Sequence, residues 1–140
     1  MNEKMIEKWN KKISPNDTVY VIGDFFLGDP NSGAKICSRL NGQKILVRGN
    51  HDKSKPQMLQ SGFFKVHNSF CVTLSNGLNI LLRHKPVEKI DVAKFCAQIH
   101  GHVHSGQKML EQKINVCVDL WDFEPVSEFE ILELLNASNV

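Results

Sequence analysis

A mixed α/β layered fold is what the sequence predicts, in one unit covering residues 1–140. Two observations carry this. Short β-branched and aromatic runs alternate with helical patterns through the first half of the chain, and a hairpin signal and further strand-like runs follow. No internal repeat, low-complexity tract or linker interrupts the sequence.

The elements follow in order. Met5, Ile6, Trp9 and Ile13 recur at three to four residues and Asn2 can cap, so a first helix is expected over 2–12. Ser14-Pro15-Asn16-Asp17 breaks it. Thr18–Ile22 is a β-branched and aromatic run, a buried strand that Gly23 ends. A short helix is expected over 32–40, stopped by Asn41-Gly42. Residues 44–47 form the second buried strand, and 56–60 one or two helical turns. The runs 70–74 and 78–82 flank Ser75-Asn76-Gly77, a hairpin signal. Residues 95–99 and 114–120 read as later strands. Ser127 and Glu130 make a capping box for a last helix, whose apolar content is Phe129, Ile131, Leu132, Leu134 and Leu135.

Composition narrows the class. Hydrophobic residues are 41% and charged residues 23%, which argues against disorder and against a coiled coil. Lysine and arginine exceed aspartate and glutamate by 17 to 15, too even a balance to argue for nucleic acid on charge alone. No apolar run approaches the roughly 18 residues of a membrane helix. The start, MNEKMIEKWNKK, has lysines but no apolar core of a signal peptide, so a cytoplasmic location is expected. Four cysteines stand at 37, 71, 96 and 117 with no C-x-x-C pair, and read as reduced. Cys71, Cys96 and Cys117 lie in apolar, strand-like stretches, where buried structural thiols are expected.

Histidine is the informative residue. Of the six, three fall at His100, His102 and His104; His51 and His84 stand at the ends of apolar runs, and His67 looks unremarkable. Four strand candidates end in a ligand-type residue: Asp24 after Ile22-Gly23, Asn50 after Val47-Arg48-Gly49, His84 after Leu82-Arg83, and His102 with His104 after Ile99. In open α/β sheets, sites form outside the carboxyl ends of strands, so if these strands share one sheet the five side chains converge on one edge. Glycines 23, 49 and 101 let the backbone turn sharply off the strand. His102 and His104 project to one side of an extended chain. Taken singly, Gly-Asp is more often a turn, His84 a hydrogen-bonded loop histidine and Arg48 a solvated charge. Four loops together are harder to assign to accident. Oxygen and imidazole ligands without thiolate suit Mn, Fe, Zn, Co or Ni. A carboxylate such as Asp24 can bridge two metals, and two-metal sites hydrolyse phosphate esters by polarising phosphoryl oxygens and activating water as hydroxide.

Gly23-Asp24, Gly49-Asn50-His51-Asp52, His84 and Gly101-His102-Val103-His104 resemble, in order and in placement at strand ends, motifs two to five of the calcineurin-like metallophosphoesterases. The match runs over about 17–119, and Val19-Tyr20-Val21-Ile22-Gly23-Asp24-Phe25 looks like the small single-domain bacterial and phage members. The resemblance implies a four-layer α/β/β/α sandwich with metals at the strand ends. It implies a phosphoesterase that hydrolyses mono- or diesters through a metal-activated hydroxide. Asp24 would bridge two divalent ions, such as Mn, with Asn50, His84 and His102 completing one set and His104 serving the other. His51 would be the general acid and Asp52 its orienting partner; Arg48 would meet the substrate phosphate.

One motif is missing. The family's first Asp-x-His, at the end of a central first strand, occurs nowhere in this sequence. The sandwich is therefore expected to lack its first strand, leaving unpaired backbone and exposed apolar surface, and one metal site keeps only Asp24 and His104. Three explanations stand open: a fragment or internal start, a natural remnant, or a homodimer or other partner that supplies the strand. The alternative function is a non-catalytic or truncated member that binds a single metal and phosphate. The expected partner is a phosphate-ester substrate, with nucleic acid entering only as substrate and no membrane contact.

Overall fold

The computed structural model describes residues 3–23 and 30–138. Helix α1 (Glu3–Lys12) turns Ile6 inward, and Ile13 is buried just past its end. Strand β1 (Thr18–Ile22), helix α2 (Pro30–Arg39), strand β2 (Gln43–Val47), helix α3 (Lys55–Gln60) and strand β3 (Lys65–His67) then alternate. The helical crossovers let the three strands run parallel, in the order β1-β2-β3. Trp9 Nε1 donates to the Asn41 carbonyl at 2.9 Å and Asn10 Oδ1 accepts the Asn41 N–H at 2.8 Å, tying α1 to the end of α2. Lys44 is buried on β2, yet its ammonium meets the Leu40 and Gly42 carbonyls at 2.7 and 2.9 Å. It thus satisfies carbonyls at the α2 C-terminus, where a cation is favoured.

The second sheet holds β4 (Phe70–Thr73), β5 (Asn79–Leu82), β6 (Ala97–His100), β7 (Met109–Leu110) and β8 (Lys113–Asn115), in the order β4-β5-β6-β8-β7. Its middle strands β5, β6 and β8 are parallel, and the edge strands β4 and β7 are antiparallel to their neighbours. A 3₁₀ turn (Val118–Leu120) leads toward α4 (Glu128–Ser138). The expected capping box is present. Glu130 Oε1 accepts the Ser127 N–H and Ser127 Oγ accepts the Glu130 N–H, both at 3.1 Å.

Side-chain alternation along β2 divides the core. Val47 joins Ile80, Leu82, Ala97, Ile99 and Ile114 of the second sheet and Ile131 and Leu135 of α4. Leu46, one residue earlier, faces Met58 of α3 and Phe63 instead. β2 is accordingly buried on both faces, as a parallel strand between layers is. Fully burying Leu46, Val47 or Ile80 stabilises the fold by about 1.5–3 kcal/mol each. β1 lies at the edge of its sheet, and its Tyr20, 36% exposed, stacks on Phe70 at 5.8 Å across to β4. The Lys12 ammonium pairs with the Glu130 carboxylate and reaches the Pro125 carbonyl at 2.6 Å, joining α1 to α4.

Three expectations are corrected. The run 114–120 is not one strand: pairing stops at Asn115, whose side-chain Oδ1 takes the Cys117 N–H at 2.9 Å and turns the chain out of the sheet. Thr18–Ile22 is not a buried strand: β1 lies at the edge of its sheet and every one of its residues keeps some exposure. Two short strands, β3 and β7, add to the expected set. The four cysteines are free, but Cys71 is exposed on an edge strand and Cys96 and Cys117 are half-buried; Cys37 is the buried one. Among the described residues, no helix is long and apolar enough to cross a membrane.

Candidate functional site at the strand ends

The ligand-type residues do not share one sheet. β1 and β2 belong to one sheet and β5 and β6 to the other, and their C-terminal ends meet. Pairing runs on past β5 and β6, with Arg83 N–H on the Ile99 carbonyl at 3.2 Å and Gly101 N–H on the His84 carbonyl at 3.0 Å. This sets His84 beside Gly101. His84 is 4% exposed, and its Nδ1 lies 3.1 Å from the Ile22 carbonyl at the end of β1. A carbonyl only accepts, so Nδ1 is the donor, and in the neutral imidazole Nε2 is then the nitrogen with the lone pair. That Nε2 points at His102 Nδ1, 3.1 Å away, with the two rings edge to face.

Two glycines make this approach feasible. Gly23 has φ +80°, and a Cβ there would sit 2.1 Å from His84 Nδ1. A Cβ on Gly101 would sit 2.9 Å from the Ile22 carbonyl oxygen. Only glycine allows the two sheets to close on the imidazole in this way.

Beside His84 opens a cleft of about 280 Å³, lined by Arg48, Gly49, Asn50, Asn68, Arg83, His84 and Lys85. Arg48 is carried there by continued pairing, its N–H on the His67 carbonyl at 2.7 Å. The Asp52 carboxylate accepts the Gly49 N–H at 2.8 Å and shapes the turn bearing Asn50 and His51. The buried side chain of Gln98 accepts the Val87 N–H and donates to the Lys85 carbonyl, both at 2.9 Å, so the far wall is pinned to β6. Among the described residues three cations and no carboxylate line the cleft, which therefore favours an anion. His100, buried beneath, has its imidazole held below the ordinary range by burial, and its Nδ1 donates to the Gly101 carbonyl at 2.8 Å.

A second cluster gathers on the same loop. His104 Nδ1 is 2.6 Å from Asp119 Oδ2, and Cys117 Sγ is 3.2 Å from each of these atoms. Burial, together with the Asp119 carboxylate, pushes the Cys117 thiol up to about 11. Hydrogen bonds from His104 and then Cys117 hold the Asp119 carboxyl below its usual range.

The structure thus brings Arg48, Asn50 and His84 to one cleft and His102 onto His84, with His51 exposed on the adjoining turn. Asp24 lies outside the described residues. His102 and His104 do not project to one side: His102 adopts φ +67°, which breaks the alternation and sends the two rings to different partners. Sequence reasoning missed Arg83, Lys85 and Asn68 of the cleft, and Cys117 and Asp119. The Arg83-His84-Lys85 cations flanking a predicted ligand were a readable signal; Cys117-Val118-Asp119 carried none, since it sat in an apparent strand.

Fold and site define a two-sheet α/β protein with histidines and cations gathered where the sheets' strand ends meet. No family model matches the chain. It is 28% identical to the uncharacterized protein MJ1445 of Methanocaldococcus jannaschii, over all of this chain and 78% of that protein. The crystal structure of AQ665 from Aquifex aeolicus, a protein of unknown function, superposes with a TM-score of 0.75 at 29% identity. The match covers 94% of this chain and 83% of the other. The fold therefore recurs in a solved structure over nearly the full chain.

Proposed function

We propose that this protein is a metal-dependent phosphoesterase acting on phosphate mono- or diesters, built on the four-layer sandwich that its motifs resemble. The observation that carries the reading is the cleft itself. An imidazole pair, His84 and His102, adjoins a lining with Arg48, Arg83, Lys85 and the Asn50 amide. Two ring nitrogens 3.1 Å apart need to open by only a few tenths of an ångström to share one ion, since tetrahedral ligands at about 2.1 Å stand about 3.4 Å apart. The Ile22 carbonyl already fixes the His84 tautomer that leaves Nε2 for it. Asn50, His84 and His102 would hold that ion together with the Asp24 carboxylate, whereas His104 turns instead to Cys117 and Asp119. Divalent ions in such a site polarise phosphoryl oxygens and lower the pKa of water.

The chain's own groups supply the rest. Arg48, Arg83 and Lys85 neutralise and orient the phosphate. His51, exposed on the turn that Asp52 shapes, holds a proton for the leaving oxygen. Manganese-loaded protein is expected to hydrolyse an aryl phosphate ester, and His51→Ala to lower kcat by about a hundredfold or more. Hydrolysis unchanged in that variant rules out the assigned role. Metal uptake with no turnover at all identifies a binding protein instead.

A further inference from the structure

We infer that His104 Nδ1, Cys117 Sγ and the Asp119 carboxylate form a transition-metal site of mixed nitrogen, sulfur and oxygen ligands, suited to zinc, cobalt, nickel or ferrous ions. Three side chains of different chemistry converge there, with mutual distances of 2.6, 3.2 and 3.2 Å. A tetrahedral ion with M–N and M–O near 2.1 Å and M–S near 2.3 Å spaces its ligands about 3.4–3.6 Å apart. The cluster must open by only about 0.4–0.8 Å per pair to accept one. His104 and Asp119 are exposed, so these rotations are unhindered and an ion enters from solvent.

The site is also held together from behind. Asn115, 3% exposed, donates from Nδ2 to the Val103 carbonyl at 2.6 Å and accepts the Cys117 N–H at 2.9 Å. Trp121 Nε1 closes on the Asn115 carbonyl at 2.7 Å. One buried amide thus clamps the loop carrying His104 to the turn carrying Cys117 and Asp119. This is the kind of outer support that orients metal ligands.

Proton and charge accounting close. On binding, the Cys117 S–H proton leaves to solvent, and the His104 proton moves from Nδ1 to the outward Nε2 through solvent exchange. Thiolate, carboxylate and neutral imidazole then balance a divalent cation. A thiolate ligand changes the preference: oxygen and imidazole alone suit manganese, whereas a soft sulfur favours zinc or cobalt over manganese and magnesium. The proposal concerns coordination alone and stands whether or not the cleft hydrolyses phosphate esters.

The test uses chelator-treated, reduced full chain titrated anaerobically with cobalt chloride. A near-ultraviolet thiolate-to-cobalt charge-transfer band is expected, lost in Cys117→Ser and retained in Cys71→Ser and His84→Ala. Independently, zinc is expected to slow iodoacetamide labelling of Cys117 by about tenfold or more, leaving exposed Cys71 unaffected. Folded wild-type protein with no such band at saturating cobalt overturns the proposal, as does a band that survives Cys117→Ser. So does Cys117 labelling that zinc leaves unchanged, a readout on wild-type protein that needs no variant to fold. An ion held only by the His84–His102 pair gives a cobalt spectrum without the thiolate band.

Discussion

Replacing Gly23 with alanine tests how tightly the two sheets close on His84. The new Cβ would lie 2.1 Å from Nδ1 and 2.5 Å from Cγ of the His84 ring, and 2.9 Å from the Gly49 Cα. The ring is buried between the strand ends, so it cannot simply swing into water without leaving the Ile22 carbonyl. Backbone strain at φ +80° costs about 1–2 kcal/mol for a residue with a Cβ. Losing the imidazole–carbonyl hydrogen bond adds about 0.5–1.5 kcal/mol, so the variant should lose about 1.5–3.5 kcal/mol in all. Gly77 supplies the control. Its φ is +87°, yet a Cβ there meets nothing within 4 Å. Gly77→Ala should therefore show the strain alone, about 1–2 kcal/mol. Urea unfolding of both variants gives the difference, and cobalt titration reports whether the His84–His102 pair still binds, with affinity expected to fall about 10–100-fold in Gly23→Ala only. Equal destabilisation of the two variants, with metal binding unchanged in both, would refute the claim that Gly23 is required by the imidazole.

Two further perturbations address the supports of the fold. Glu130 has its carboxyl lowered despite burial that raises it, because the Lys12 ammonium and the Ser127 N–H and hydroxyl hold the charged form. A depressed acid contributes stability that is complete above its ordinary value of about 4.3 and is lost as pH falls through the lowered one. Glu130→Gln should thus be about 1 kcal/mol less stable at pH 7, by thermal or urea unfolding, with the gap to wild type closing below about pH 4. Asn115→Ala strips partners from the Val103 carbonyl and the Cys117 N–H, and should cost about 2–4 kcal/mol by urea unfolding; a loss under 1 kcal/mol shows that water replaces the amide.

Local pattern made the frame legible. Thr18–Ile22 and the run ending at Val47 are β-branched and apolar without alternation and pair in register from Thr18 with Gln43 to Ile22 with Val47, but only the second is buried on both faces, because β1 stands at the sheet edge. The hairpin and the Ser127–Glu130 capping box rest on contacts a few residues apart, which a sequence displays directly. What was hidden has one physical cause, backbone steered by a side chain or a distant strand. β3 is three residues long and exists because β2 offers it an edge. The run after Ile114 has the composition of a strand throughout, and only the Asn115 side chain, bonding forward to Cys117 and across to Val103, takes it out of the sheet.

The same cause explains which site residues could be anticipated. Arg48, Asn50, His84 and His102 each stand within three residues of the end of an apolar run, so their placement at a strand end needed only the strand to be recognised. Cys117 and Asp119 needed the strand to fail. Alternation would have put Cys117 and Asp119 on one face of β8 and left His104 parallel to His102. Instead the positive φ of His102 turns His104 away from the cleft, and the Asn115 turn brings Cys117 and Asp119 out to meet it. Two departures from regular geometry, the positive φ of His102 and the turn at Asn115, together bring His104 and Asp119 into contact, and the first is strained for a residue with a Cβ. On the metal site proposed above, a bound cation would give that contact a purpose, because thiol, imidazole and carboxylate at 2.6–3.2 Å would gain more from a shared ion than from one another.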